Sequence, residues 1–269
     1  MMRWTVLLIA LPIGLLQLSL SVNADEPRAR AIMQKVDERE DGDNRVADME
    51  MVLIDREGHE RVRRMRQFTK DRDKDTLSLI YFQYPADVRD TGFLTWDYDE
   101  SEKDDDQWLY LPALGKTKRI AASDKSGSFM GSDLNYSDMI KRELADYDYR
   151  LMKEDSVGDQ PVWVIEALPR RQDVIEETGY SKSVVFVRQD IHMVVRGISW
   201  VADSEELKFL DVRALEEIDG IWVATELTMS TRLGRSMKHQ TRIKLSNVRF
   251  DQPLEEAFFT VRQLEKGLP

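Results

Sequence analysis

Between Met49 and Phe250 apolar residues recur at every second position in one short run after another, and this period of two restricts the fold more than any other feature. The runs are 49–54, 62–68, 76–84, 92–98, 107–111, 116–121, 145–153, 161–168, 181–188, 193–200, 207–215, 221–231 and 238–250. Alternate side chains of an extended chain point to opposite faces, so each run reads as a strand. Short turn signals separate them, among them Arg56-Glu57-Gly58-His59, Val157-Gly158-Asp159, Asp219-Gly220 and Leu233-Gly234. Connections this short join antiparallel neighbours. A flat sheet of that width would leave long bare edges and a large apolar face. The expected fold class is therefore mainly β (α+β): an open, strongly curved antiparallel β-barrel of about 11–13 strands with a few covering helices and an apolar cavity. Period alone serves a packed interior and a hollow one equally.

Other periods supply the covers. Residues 26–40 place Ala29, Ile32, Met33 and Val36 at spacings of three and four, one apolar helical stripe. Residues 135–142 and 255–266 read as short helices, and 123–133, with two glycines and no period, as a loop. The N-terminal residues 1–24 combine Arg3, an apolar stretch and a small residue at Ala24, which predicts a cleaved signal peptide and a periplasmic product. Residues 25–269 then form a single domain, since no Pro/Gly/Ser-rich linker divides them.

Charge and chemistry narrow the function. With 39 Lys+Arg against 50 Asp+Glu the net charge is −11, which argues against nucleic acid as a partner. The absence of cysteine removes thiol nucleophiles, disulfides and thiolate metal sites, and three scattered histidines suggest no metal or other cofactor. Leu114-Gly115-Lys116-Thr117 ends like a phosphate-binding loop, but Tyr110 stands where the motif needs its first glycine. Gly127-Ser128-Phe129-Met130-Gly131 lacks the order of a serine-hydrolase elbow, so Ser128 and Ser132 offer only a weak hydrolase reading, and no catalytic residue is expected. The acidic run at Asp104-Asp105-Asp106 lacks calcium-loop spacing and reads as a solvated turn.

Arg61, Arg63, Arg64 and Arg66 form the one basic cluster. Arg64 and Arg66 share a face with Val62 and Phe68, and a two- or four-residue hairpin closure at Gly58 would set that face beside Met49, Met51 and Leu53. Such a surface suits hydrocarbon chains with an anionic or carbonyl-rich head, while methionine adapts to irregular cargo. The competing arrangement pairs these arginines with Glu50, Glu57 and Glu60 on the outside. The expected ligand-binding set is Met49, Met51, Leu53, Phe68, Leu79 and Trp96 as lining, with Arg64 and Arg66 near the head group. The 112–139 stretch, with Arg119, Phe129 and Met130, is expected to act as a lid or to dock a partner.

The block Asp105-Asp106-Gln107-Trp108-Leu109-Tyr110-Leu111-Pro112-Ala113-Leu114-Gly115-Lys116-Thr117-Lys118-Arg119-Ile120 carries a resemblance, together with residues 126–133 and Tyr136-Ser137-Asp138-Met139. Tyr84-Pro85-Ala86-Asp87-Val88 and Phe259-Thr260-Val261-Arg262-Gln263-Leu264 extend it. The chain resembles the periplasmic outer-membrane lipoprotein-sorting proteins of the LolA-like superfamily, in the branch associated with resistance-nodulation-division type exporters. That resemblance implies an open barrel with helices over its mouth, an apolar cavity for lipid or lipoprotein acyl chains, and a carrier without catalysis. It also implies transient contact with membrane complexes and an inner-membrane transporter of that type as partner. The best-known carriers are shorter and lack the Trp-Leu-Tyr-Leu-Pro block, which leaves another lipid or a hopanoid-like molecule open as cargo. The alternative is a non-carrying accessory subunit of an inner-membrane transporter.

Overall fold

A computed structural model describes residues 25–100 and 103–268; the expected signal peptide lies outside them. Thirteen strands form one antiparallel sheet: β1 (Asn44–Asp55), β2 (Glu60–Arg72), β3 (Asp75–Tyr84), β4 (Gly92–Asp97), β5 (Asp106–Leu111), β6 (Lys116–Ile120), β7 (Tyr147–Val157), β8 (Gln160–Pro169), β9 (Tyr180–Arg188), β10 (Met193–Val201), β11 (Glu206–Ile218), β12 (Ile221–Leu233) and β13 (Ser236–Phe250). Their order is β6-β5-β4-β3-β2-β1-β13-β12-β11-β10-β9-β8-β7. The two edge strands, β6 and β7, are thus consecutive in the chain. Residues 121–146 run from one edge to the other, so the opening of the curved sheet is spanned by a single connection.

Three helices accompany the sheet: α1 (Pro27–Asp37), α2 (Gln172–Thr178) and α3 (Val261–Lys266). The expected apolar stripe of α1 is present, with Ala29 and Ile32 buried against Tyr147, Tyr149, Ile165 and Ala167. Seven-residue α2 is too short for a period to announce and stops at Gly179, whose φ of +76° few other residues adopt. Of the helix expected over 135–142, a 3-10 turn at Tyr136–Met139 is formed. The 255–266 helix is divided into a 3-10 turn at Glu256–Phe258 and α3. No helix among the described residues is long and apolar enough to cross a membrane.

The first hairpin decides which residues share a face. Asp55 and His59 close it by a backbone hydrogen bond around Arg56-Glu57-Gly58, with Gly58 at a φ of +89°. The Asp55 carboxylate accepts the backbone N–H groups of Glu57 and His59 at 2.9 Å each and so holds the loop at this odd length. An odd loop reverses the parity that a two- or four-residue closure would set. Met49 therefore faces Met65, Met51 faces Arg63 and Leu53 faces Arg61, whereas Arg64 faces Glu50 and Arg66 faces Asp48.

Candidate functional site

Followed through the register, the first face of the sheet carries Met49, Met51 and Leu53 on β1, Met65 on β2, Ile80 and Phe82 on β3, Phe93 on β4, Leu109 on β5 and Ile243 on β13. Within the 121–146 connection, residues 129–139 lie over this strip. Phe129 is 0% exposed, 5.0 Å from the Phe93 ring and 5.6 Å from Tyr136, and Leu134 packs beside it. The strip expected to line an open apolar cavity is thus filled by the chain's own side chains.

Polar contacts fasten this cover. The Asp133 carboxylate, 1% exposed, accepts Thr231 Oγ1 at 2.5 Å and Thr241 Oγ1 at 2.7 Å and lies 2.7 Å from His239 Nδ1. Asn135 donates to the Thr178 carbonyl at 2.9 Å and accepts Lys208 Nζ at 2.6 Å. Buried Lys125 pairs with Glu177 on α2. On the sheet side, Arg63 donates to the Met130 carbonyl and stands 6.0 Å from the Phe82 ring. Met130 itself adopts a φ of +51°, a left-handed backbone that costs free energy outside glycine. The cover is therefore a non-repetitive segment over apolar side chains, tied at its margins by hydrogen bonds and charge.

The other expected lining residues belong to the second face. Phe68, Leu79 and Trp96 pack with Val46, Leu77 and Leu94 beneath Phe258, Phe259 and Leu264 of the C-terminal segment. Phe68 meets Phe258 edge-on at 4.9 Å, and Trp96 Nε1 donates to the Phe259 carbonyl at 2.9 Å. Arg64 and Arg66 are on this face too. Arg64 pairs with Glu50 at 3.3 Å in solvent, the outside arrangement, and Arg66 lies 5.7 Å from the Phe68 ring. The expected grouping of these two arginines with Met49, Met51 and Leu53 is corrected by the odd hairpin loop. Arg119 stands on β6 and pairs with Asp106, apart from the cover, whereas Phe129 and Met130 belong to it. The residues that sequence reasoning missed are Arg63, Met65, Phe82 and Phe93; counting three residues in the Asp55–His59 loop would have recovered the first two.

A cavity of about 280 Å³ lies elsewhere on the first face, between the end of α1, β3, β4 and residues 141–145. Its lining is polar and of mixed sign: Asp37, Asp97, Asp99 and Glu143 with Lys74, Lys141 and Arg142. Burial pushes the Asp97 carboxyl up to about 7, opposed by the Lys141 backbone N–H and aided by Asp105 and Glu143. Glu143 also rises to about 7, again through burial and then through Asp105 and Asp146.

An open, curved antiparallel sheet with a cover across its gap and a helix beside it is the LolA-like fold. A LolA superfamily protein from Nitrosomonas europaea shares that fold at a TM-score of 0.66 and 18% identity, over 87% of this chain and 98% of the other. The chain belongs to the DUF1329 family: a member from Desulfovibrio piger is 31% identical, with a TM-score of 0.81 over 90% of this chain and 99% of that one. A domain of Vibrio parahaemolyticus described as outer-membrane lipoprotein-sorting is 29% identical, with a TM-score of 0.80 over 88% and 98% of the two chains. A family model described as an uncharacterized protein matches residues 74–266. Among curated proteins, none matches the chain.

Proposed function

We propose that this protein is a periplasmic carrier that binds a lipid, or the acyl chains of a lipoprotein, on the Met49–Met51–Met65 strip. Cargo takes the place that Phe129 and Leu134 occupy in the described state. The observation that carries the reading is an irregular segment sealing a methionine-rich apolar strip with the buried Phe129 and Leu134, beside the partly buried Met130, Tyr136 and Met139. Magnitudes favour exchange: fully burying Phe129 and Leu134 stabilises the cover by roughly 1.5–3 kcal/mol each, whereas an acyl chain with about 14 buried methylenes gains roughly 11 kcal/mol. Ordering the bound chain and releasing the cover subtract from that gain, so the net affinity depends on how cheaply the cover lifts. The lipoprotein-sorting description of the Vibrio relative supports the cargo class, and an inner-membrane exporter of the resistance-nodulation-division type is the proposed partner.

The test uses the absence of native cysteine, which makes an engineered pair unambiguous. Asp133 N lies 2.9 Å from Thr241 Oγ1, so Asp133→Cys with Thr241→Cys is placed to lock the cover by a disulfide. A fluorescent acyl probe should bind the reduced protein and not the oxidised one, and Phe129→Ala should raise uptake. Failure of the probe to bind under either condition, with no lipid detected by mass spectrometry after detergent-free purification, would reject the carrier.

The filled strip favours a second reading, a non-carrying accessory subunit of an inner-membrane transporter. It predicts that Met51→Arg, which places a charge under Phe129, leaves the partner's transport unchanged while pull-down still recovers it. Lost transport with a retained complex would favour the carrier.

A further inference from the structure

Beyond the apolar strip the first face changes character within one step of register. Arg45, Thr69, Ser78, Thr95 and Gln107 stand in a single row across β1 to β5. The next row, Asp71, Thr76 and Asp97, leads into the mixed-sign cavity, which Thr76 and Asp97 line. Thr95 and Gln107 are 1% and 0% exposed.

Buried polar atoms are nearly always hydrogen-bonded, and exceptions call for an explanation. Among the described residues four buried side-chain atoms have no partner, and three belong to this row: Arg45 Nε, Thr69 Oγ1 and Gln107 Oε1. The fourth, Arg66 Nε, is on the second face. The set comprises a donor, a group that both donates and accepts, and an acceptor. Four strand spacings separate Arg45 from Gln107, roughly 19 Å along the sheet before curvature and side-chain reach shorten it. A single hydroxyl or one ester cannot use both ends.

Charge narrows the ligand further. An anionic head would meet Asp71 and Asp97 in the adjoining row, and a cationic one would meet Arg45 in the row itself. A head without net charge meets neither penalty.

We propose that the Arg45–Gln107 row is a head-group site for an amphiphile whose head is uncharged and polyhydroxylated, with its hydrocarbon chain lying along Met49, Met51 and Met65. This rests on the carrier reading and adds the class of cargo.

The experiment compares three amphiphiles with the same twelve-carbon chain, each below its micelle concentration, by isothermal titration calorimetry of the full chain: dodecyl maltoside, dodecanoate and dodecyltrimethylammonium. The maltoside should bind about tenfold more tightly than either ion, the scale of one or two hydrogen bonds that only the neutral head completes. Thr69→Val, which matches the side chain's shape, and Gln107→Leu should each lower the ratio of maltoside to dodecanoate affinity; Thr69→Val alone carries the test if Gln107→Leu fails to fold. Equal binding of all three heads, or a preference that survives Thr69→Val, would overturn the head-group site and leave the row a place for water. Binding of free maltose as tightly as of the maltoside would overturn the amphiphile assignment. Binding of none of the three rejects the carrier reading itself and this inference with it.

Discussion

The two faces of the sheet are both sealed by aromatic side chains from irregular segments, yet the seals differ in how they are made. Over the second face, Phe258, Phe259 and Leu264 bury a broad apolar surface. The sheet also holds the backbone of that segment directly, through Trp96 to the Phe259 carbonyl and Tyr81 OH to the Gln263 carbonyl at 2.6 Å. Gly92 completes the fit, because a Cβ there would meet Leu264 Cδ1 at 2.5 Å. Over the first face, Phe129 and Leu134 are inserted with Met130, Tyr136 and Met139 beside them. The sheet holds this backbone too, through Arg63 to the Met130 carbonyl and Gln107 to the Tyr136 carbonyl at 2.9 Å. What is added here is a set of charged side-chain ties, through Asp133, His239, Lys208 and Glu177. A seal that relies in part on charged side chains offers a ligand more points of competition than one built on apolar contacts and backbone hydrogen bonds.

The comparison is most directly broken by Phe259→Ala and Phe129→Ala. Removal of a fully buried phenylalanine costs about 3–5 kcal/mol when the surroundings cannot relax. We expect that loss for Phe259→Ala in urea unfolding. For Phe129→Ala the loss is capped by the free energy of lifting the cover, so it should be the smaller of the two. Equal losses would make both seals permanent. Next in size is Asp133→Asn, which removes the charge and leaves one acceptor oxygen for the partners that now use two, Thr231 at Oδ1 and Thr241 and His239 at Oδ2, and should weaken the closed cover by about 1–3 kcal/mol. Hydrogen exchange should accelerate across 129–139 and stay unchanged across 258–264; acceleration in both would erase the distinction.

A smaller effect follows from the cavity. Asp97 and Glu143 have folded-state pKa values of about 7, above those of free carboxyls. The folded protein therefore holds more protons than the unfolded chain between about pH 4 and pH 7, and these two groups destabilise it increasingly as pH rises through that window. Asp97→Asn should flatten the fall in Tm from pH 5 to pH 8 relative to the parent; an unaltered slope would remove Asp97 as its source. Smallest is Arg64→Ala, which breaks the solvent-exposed pair with Glu50 and the contact with the exposed Tyr84 ring and should change stability by about 0–1 kcal/mol with no effect on acyl-probe uptake. Arg63→Ala, which loses the tie to Met130, should raise uptake.

Much of the architecture is legible in the order of residues alone. Each of the thirteen period-two runs became a strand, and the Ala29–Ile32 stripe became α1. Part of the candidate site's packing is legible in the same way: Met49, Met51 and Leu53 share the strip, and Phe129 and Met130 pack over it. The rest was displaced by a single residue in one loop. Parity carries that error coherently, moving Arg64, Arg66 and Phe68 to the far face together and bringing Arg63 and Met65 onto the face of Met49 and Met51.

Alternation of apolar and polar residues is a local property, written into each run before any strand meets another, and it settled the number of strands and their antiparallel path. Which face receives Phe129, that the strip is filled rather than hollow, and that Arg45 to Gln107 form one row were decided only when strands distant in sequence took a common register. Register depends on the count of residues in turns and on contacts between segments as far apart as Asp133 and Thr241, so no single stretch of the chain contains it.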